Sequence, residues 1–353
     1  MTTNGGYRPV FCTIVPPHIL DHLATHEDRT LADAALRTLQ QDAAQRTRRR
    51  ITTVRGAVVP AAAATGTPHR TIYDAGHGTD LPGTKVRDEG SEPGQDAGVN
   101  RAYAGLGATF DLYLKAYERD SVDGEGLPLD ATVHYDVDYD NAFWNGEQMV
   151  FGDGDGQIFT DFTSSVDVIG HELTHGVTQY TANLEYYGQS GALNESVSDV
   201  FGSLIKQHSL GHTADQADWL IGEGLLAPGV HGVALRSMKA PGTAYDDPRL
   251  GKDPQPATMG EYVKTNRDNG GVHINSGIPN HAFYLLATAL GGNAWERAGR
   301  IWYDVLTGGE LRSDALFTDF AKLTVAAAKA RFEEGEETEA VLKAWAQVGV
   351  QTG

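Results

Sequence analysis

His171-Glu172-Leu173-Thr174-His175 reads H-E-x-x-H, and the apolar residues around it, Val166, Ile169, Leu173 and Val177, recur at helical spacing. Two histidines four residues apart share one face of a helix, one turn above the other. Both imidazoles then reach a single metal ion, and Glu172 lies beside them as a base. The competing reading is a surface helix with two solvated histidines, in a chain that has 13 of them. Residues downstream decide between the two.

A catalytic zinc takes three protein ligands and leaves one position open for water. Gly191-Ala192-Leu193-Asn194-Glu195-Ser196-Val197-Ser198-Asp199 opens a second helical stretch and offers Glu195 as the third ligand. Asp199, four residues on, shares that face and is placed to accept a hydrogen bond from the far nitrogen of a zinc-bound histidine. Such a carboxylate fixes the histidine tautomer and raises its basicity. The helix dipole alone favours a glutamate near a helix N-terminus, but with H-E-x-x-H upstream the ligand reading is preferred. A zinc ion held in this way implies hydrolysis of an amide bond.

At these residues the chain resembles the thermolysin family of zinc metallopeptidases. The likeness rests on His171 to Ala182 with Gly191 to Glu195, on Asn141-Ala142-Phe143-Trp144-Asn145-Gly146, on Gly152-Asp153-Gly154-Asp155-Gly156-Gln157, on Leu235-Arg236-Ser237-Met238 and on Asp268 to Gly277. It runs from about Thr71 to the end. The resemblance implies an α+β two-lobe zincin, with a β-rich N-terminal lobe, a helical C-terminal lobe and zinc in the cleft between them. It implies one Zn(2+) on His171, His175 and Glu195, with Asp199, Asn194 and Asp268 supporting the active groups from behind. Glu172 is implied as general base, and Tyr186 and His273 as donors to the oxyanion, His273 being oriented by Asp268. Asn141 and Ala142 would hold the substrate backbone as an added strand, and Arg236 a carbonyl beyond the cut. Phe159, Phe162, Val168, Ile221, Leu225 and Leu235 match the pocket for the residue after the scissile bond. All are apolar, so cleavage before bulky apolar residues is expected, each such side chain being worth roughly 1.5–3 kcal/mol on burial. The expected activity is that of a neutral zinc endopeptidase acting on protein or peptide substrates.

Composition agrees with a globular enzyme. The chain has 353 residues, 40% hydrophobic and 21% charged, enough for two cores. A net charge of -19 argues against nucleic-acid binding, which needs a basic face. With no run of 18 apolar residues, no membrane span is expected. A single cysteine excludes an intrachain disulfide, and a monomer is expected. Met1 to Tyr7 carries neither a basic leader nor an apolar core, so no Sec signal is read there. The expectation is secretion by a non-classical route, or a cytoplasmic location. Ala61 to Ala64 is the one low-complexity tract.

Three parts are expected: a pro-segment over 1–50, a β-rich lobe over 51–165 and a helical lobe over 166–353. In the first, Thr30 and Asp33 read as a capping box, followed by Leu31, Ala35 and Leu39 at helical spacing. The helix runs into Arg46-Thr47-Arg48-Arg49-Arg50, either a basic last turn suited to the dipole or an exposed processing site. In the second, Thr132 to Val137 and Gln148 to Phe151 read as strands between Gly, Pro and Asp turns. In the third, Ile278 to Leu290 and Phe317 to Arg331 are helical patterns.

Pro16-Pro17 with Leu20 resembles the Pro-Pro-x-Leu motif of the protealysin-like subgroup, whose short pro-segment keeps the precursor inactive. The pro-segment is thus expected to act as an intramolecular inhibitor. Cys12 adds a second expectation, that its thiolate takes the open zinc position, since sulfur is a good zinc ligand; the alternative is a small buried hydrophobe. The chain departs from the best-known members at their paired-calcium site, where the matching positions are Asp167, Lys206, Asp218, Leu220 and Glu223. Lys206 is expected to replace calcium by pairing with Asp167, Asp218 and Glu223, because bare carboxylates would repel one another; otherwise it snorkels to solvent. Asp88 to Glu92 and Val233 also look depleted of acids, so bound calcium is doubtful. Asp153-Gly154-Asp155-Gly156 is a turn rather than an EF-hand, for Ser164 stands at the twelfth position.

Two other classes compete. A zinc exopeptidase would need a group to capture a free α-amine, and none is found. A non-catalytic scaffold would be expected to lack Glu172 or the oxyanion donors. A serine hydrolase is poorly supported, because Gly188-Gln189-Ser190-Gly191 is not a G-x-S-x-G elbow.

Overall fold

The computed structural model describes residues 11–55 and 66–353. The readings made on Met1 to Tyr7 and on Ala61 to Ala64 lie outside the described residues. Two helices come first, α1 (Pro17–Leu23) and α2 (Arg29–Arg55). Pro17 occupies the first turn of α1, where its missing N–H is no loss and its fixed φ suits the helix. The cap expected at Thr30 and Asp33 is corrected to Asp28. Its carboxylate accepts from Thr30 N at 2.9 Å and its carbonyl from Ala32 N at 3.0 Å, so the orphan donors of the first turn are met one residue before the helix begins. The basic run is corrected as well. Helix α2 continues to Arg55, which leaves Arg46 to Arg50 in its interior, and Arg49 is buried.

Five strands follow: β1 (Arg70–Asp74), β2 (Thr84–Arg87), β3 (Leu129–Val133), β4 (Ala142–Trp144) and β5 (Met149–Phe151). They form one sheet in the order β2-β1-β3-β5-β4, parallel across its centre and antiparallel at both margins. Strand β4 is therefore an edge, a margin that an extended chain can join by backbone pairing. The strand expected over Thr132 to Val137 stops at Val133. His134, Asp136 and Asp138 take φ of 54°, 56° and 52°, a left-handed conformation that ends the ladder.

Between β2 and β3 runs α3 (Ala97–Tyr117), a long helix that the turn-rich reading of this lobe missed. Its glycines disguised it. One of them has a packing reason: a Cβ on Gly105 would lie 2.3 Å from Ile169 Cδ1, so glycine lets α3 approach the next helix. Asp96 caps α3, accepting from Val99 N at 3.0 Å.

Helices α4 (Val166–Tyr180) and α5 (Gly188–Leu210) begin the helical lobe, followed by the short hairpin β6 (Leu220–Ile221) and β7 (Arg236–Ser237). Then come α6 (Asp268–Asn275), α7 (Gly277–Leu290), α8 (Ala298–Thr307), α9 (Phe317–Phe332) and α10 (Glu336–Gln347). Helices α7 and α9 match the patterns read over 278–290 and 317–331. The fold is α+β in two lobes, with α4 against both β4 and α5. One apolar cluster runs from Ile14, Val15, Ile19 and Leu20 through the sheet to Trp302 and Trp345. Burial of these N-terminal residues in it, at roughly 1.5–3 kcal/mol each, docks the segment before β1 onto the rest of the chain. No described helix is long and apolar enough to cross a membrane.

Candidate metal centre

Helix α4 carries His171, Glu172 and His175, and α5 carries Asn194, Glu195 and Asp199; all six are buried. The two helices approach closely because Gly202 has no side chain: a Cβ there would lie 2.5 Å from Asp167 O. That crossing sets Glu195 opposite the histidine pair.

His171 Nδ1 pairs with Asp199 Oδ1 at 2.7 Å, and His175 Nδ1 with Asn194 Oδ1 at 2.8 Å. These acceptors draw the ring protons to the Nδ1 side. The Nε2 atoms then face each other as acceptors, 3.0 Å apart. Glu195 lies 3.6 Å from one and 3.5 Å from the other. Its Oε2 is buried without a hydrogen-bond partner among the described residues. Two acceptor nitrogens and an orphan carboxylate oxygen converging in a buried site fit a divalent cation of zinc type. Cys12 Sγ joins them, and the four ligand atoms lie within 4.8 Å of one another.

The electrostatics sort the groups by role. Burial lowers His175 to about 4, which keeps it neutral as a ligand must be. Burial would raise Glu195, but His273, His175 and His171 outweigh it and hold it at about 2. Burial pushes Glu172 well above the ordinary glutamate range, and the Glu195 charge adds to the push. Glu172 Oε2 accepts from Trp144 N at 3.1 Å, while Oε1 has no partner among the described residues. Burial disfavours the His273 cation, but the Asp268 and Glu195 charges prevail and raise it to about 9. Asp268 holds His273 Nδ1 at 2.6 Å and accepts its backbone N–H at 2.9 Å. Tyr186 OH lies 3.2 Å from His273 Nε2 and bonds Glu195 Oε1.

The expected substrate groups border the pro-segment. Arg236 makes two bonds to Asp199, at 2.9 and 2.8 Å, and a third from Nη1 to Ile14 O at 3.1 Å. Asn141 Oδ1 accepts Val15 N at 2.9 Å, and Ile14 N donates to Ala142 O at 3.1 Å. Phe159, Phe162, Val168, Ile221, Leu225 and Leu235 are all buried in one apolar cluster together with Ile14 and Leu20. Pro16 and Pro17 lead from there into α1. Lys206 Nζ lies 3.3 Å from Asp167, 2.5 Å from Asp218 and 2.9 Å from Glu223. Glu89 is engaged by Arg70, with Nε to Oε2 at 2.7 Å, and Val233 is exposed. Asp155 Oδ1 gathers the backbone N–H groups of Gln157, Ile158 and Phe159, so the chain bends over 156–158, just after the stretch 153–156 read as a turn.

Several working residues escaped the sequence reading. Ser198 Oγ lies 3.1 Å from His175 Nδ1; its place three residues after Glu195 was a usable signal. Asn280 Nδ2 donates to Asp199 Oδ2 at 2.8 Å, and Asp42 accepts from Tyr139 at 2.6 Å and from Asn141 at 3.1 Å. His134 bridges Asp153 and Asp96, 2.9 Å from each. No local motif marks these three.

Comparison with known proteins gives a consistent picture. Residues 47–179 match the model of the thermolysin metallopeptidase catalytic domain, and residues 182–350 that of its alpha-helical domain. An extracellular metalloprotease of Pectobacterium carotovorum is 52% identical over 98% of this chain and 97% of its own length. Protease PrtS of a Photorhabdus species is 50% identical over 99% of this chain and 93% of its own. The solved precursor of protealysin, a metalloproteinase from Serratia proteamaculans, superposes with a TM-score of 0.89 at 54% identity, covering 96% of this chain and 100% of that one.

Proposed function

Since the chain belongs to the thermolysin family of metallopeptidases, we propose that it is a zinc endopeptidase made as a latent precursor, cutting before bulky apolar residues. The observation that carries this reading is the imidazole pair, with Nε2 atoms 3.0 Å apart, facing Glu195 and flanked by the half-free carboxylate of Glu172. His171, His175 and Glu195 would hold the zinc. When bound, zinc supplies Lewis acidity to the scissile carbonyl and makes water acidic enough to lose a proton.

The chain's own residues do the rest. Trp144 N anchors one oxygen of Glu172, so the other takes the proton from water and returns it to the leaving amine. Tyr186 and the protonated His273 donate to the negative oxygen that develops at the carbonyl, and Asp268 keeps His273 charged and aimed. Asn141 and Ala142 pair with the substrate backbone on the β4 edge, and Arg236 grips the carbonyl after the cut. The pocket of Phe159, Phe162, Val168, Ile221, Leu225 and Leu235 takes the bulky side chain.

Residues 1–50 act as the pro-segment, 51–165 as the β-rich lobe and 166–353 as the helical lobe. Cys12, Pro16, Pro17 and Leu20 seal the cleft. Lys206 takes the place of calcium among Asp167, Asp218 and Glu223. The enzyme works as a monomer and outside the cell; the name of the Pectobacterium relative gives an extracellular location for that protein.

Glu172→Gln tests the reading. The variant should bind one equivalent of zinc, and turnover on an N-terminally blocked peptide should fall roughly 10²–10⁴-fold. With the pro-segment removed from both proteins, undiminished turnover would remove Glu172 from the chemistry, and a wild type that cuts unblocked peptides but refuses the blocked one would point to an exopeptidase.

A further inference from the structure

The pro-segment lies in the cleft as a substrate would. Ile14 O accepts from Arg236 Nη1 at 3.1 Å, Val15 N donates to Asn141 Oδ1 at 2.9 Å, and Ile14 N donates to Ala142 O at 3.1 Å. These are the groups assigned above to a substrate backbone. If Arg236 marks the carbonyl just after the cut, Ile14 is the residue after the cut and Thr13–Ile14 is the bond in register. The side chain agrees, since Ile14 is fully buried in the apolar cluster that includes the specificity pocket.

What stands at the reacting corner is sulfur. Cys12 Sγ lies 2.9 Å from Glu195 Oε1, 2.8 Å from Tyr186 OH and 3.5 Å from His273 Nε2. It therefore touches a metal ligand and both oxyanion donors. The Thr13 carbonyl oxygen is 3.5 Å from that same sulfur, so the amide in register borders the reacting corner. A second, independent feature points to a metal at this spot. Glu195 Oε2 is buried, lacks a hydrogen-bond partner among the described residues, and lies 3.6 Å from His171 Nε2 and 3.5 Å from His273 Nε2. With zinc bound, His171, His175, Glu195 and the Cys12 sulfur would make up a four-ligand set, and such a set would leave no position for water.

We propose that the pro-segment is threaded in the cutting direction with Thr13–Ile14 as a cryptic scissile bond, and that Cys12 alone keeps that bond whole. The idea deepens the endopeptidase reading and rests on it. Without the thiol, water adds to the Thr13 carbonyl carbon and the bond to the Ile14 nitrogen breaks. Thr13 leaves with the new carboxylate, and Ile14 takes a proton and becomes an amino terminus. Val15 and the helices α1 and α2 stay docked, so the cut removes the plug without at once releasing the rest.

The test uses the full chain, with cobalt(II) as probe and Cys12→Ser and Cys12→Ala as paired variants. Wild-type protein carrying one equivalent of cobalt should show a sulfur-to-cobalt charge-transfer band in the near ultraviolet, and both variants should lose it at equal cobalt content. Zinc-loaded variants should lose residues 1–13 by intact mass and gain a chain beginning at Ile14, whereas C12S combined with E172Q should stay whole. A fully loaded wild type with no band overturns the proposal. So does a variant that cleaves an added peptide yet keeps Thr13–Ile14 intact. Variants that bind cobalt but cut neither themselves nor the peptide overturn the proposal, and only if protein freed of its pro-segment also fails to cut the peptide does the endopeptidase reading fall with it.

Discussion

Lys206→Met should lower stability most at neutral and alkaline pH. Lys206 Nζ faces three carboxylates, but they differ in worth. Asp218 and Glu223 are 31% and 53% exposed, so each pairing contributes about 0–1 kcal/mol. Asp167 is fully buried. Its Oδ1 accepts from Ser165 Oγ at 2.6 Å and Gly222 N at 3.0 Å, while its Oδ2 has no hydrogen bond among the described residues and lies 3.3 Å from Lys206. Methionine keeps the stem and deletes the ammonium, leaving a buried charge uncompensated at about 3–5 kcal/mol. At roughly 2–4 °C per kcal/mol, the melting temperature should fall by on the order of 10 °C. The sign with pH follows from Asp167, whose pKa is raised by burial even while Lys206 pulls it down. A carboxyl raised on folding costs nothing below its unfolded pKa, and the cost grows as pH climbs through the folded value. Wild type and variant should therefore melt together in acid and diverge toward pH 8. Calorimetry from pH 4 to 8, with and without a calcium-selective chelator, is the assay. The chelator should leave the wild type unmoved. A difference that does not change with pH, or one below about 2 °C at pH 8, would show that Lys206 merely reaches solvent.

Two further outcomes are expected. His134 opposes its burial with the charges of Asp153 and Asp96 and is raised to about 9. Its stabilisation is complete below pH 6.5 and vanishes as pH rises through 9. His134→Gln should flatten that alkaline decline in melting temperature and lose about 1–2 kcal/mol near pH 6, solvent at the partly exposed carboxylates having discounted the pair; a decline identical to wild type would assign it elsewhere. Asp268→Asn should leave zinc content and KM nearly unchanged while kcat drops roughly 10²-fold, because His273 loses charge and aim together; unchanged kcat in steady-state assays would dismiss the pairing.

The zinc helices were legible because their chemistry is periodic. His171, His175 and Asp199 are tied to their partners by four-residue helical steps, and the apolar spacing of α4 announces the helix that carries them. Helices α7 and α9 were legible on the same ground, whereas the edge strand β4 was legible only through the family resemblance of Asn141 to Gly146. Helix α3 was not, because the glycines that admit Ile169 imitate loop composition. The end of β3 was hidden too, since nothing in His134-Tyr135-Asp136 forbids extension. Left-handed backbone there serves contacts to Asp96 and Asp153 from distant segments. The cap moved from Thr30 to Asp28 because two good capping residues stood close together and only the chain's approach selects between them. Asn280 and Asp42 belong to the same illegible class, being single polar residues whose roles exist only once remote elements meet.

Asp199 shows why the metal and the substrate register act as one unit. Its Oδ1 accepts from His171 Nδ1 and Arg236 Nη2, and its Oδ2 from Arg236 Nε and Asn280 Nδ2. Four donors meet the roughly four lone-pair sites a carboxylate offers. Burial would raise such a group, but Arg236 and His171 overcome it and hold Asp199 well below the ordinary aspartate range, so it stays charged wherever the enzyme works. One fixed charge thereby sets the tautomer of His171, proposed above as a zinc ligand, and the angle of the Arg236 guanidinium, proposed to grip the carbonyl beyond the cut. Neither can shift without stranding a buried donor, at about 1–3 kcal/mol each. The distance from the metal ligand to the bond in register is thus built into a single side chain of α5. A peptide held by Arg236, whether substrate or pro-segment, is presented to His171 and Glu172 in the same frame. The difference between latency and turnover then lies in what fills the remaining corner.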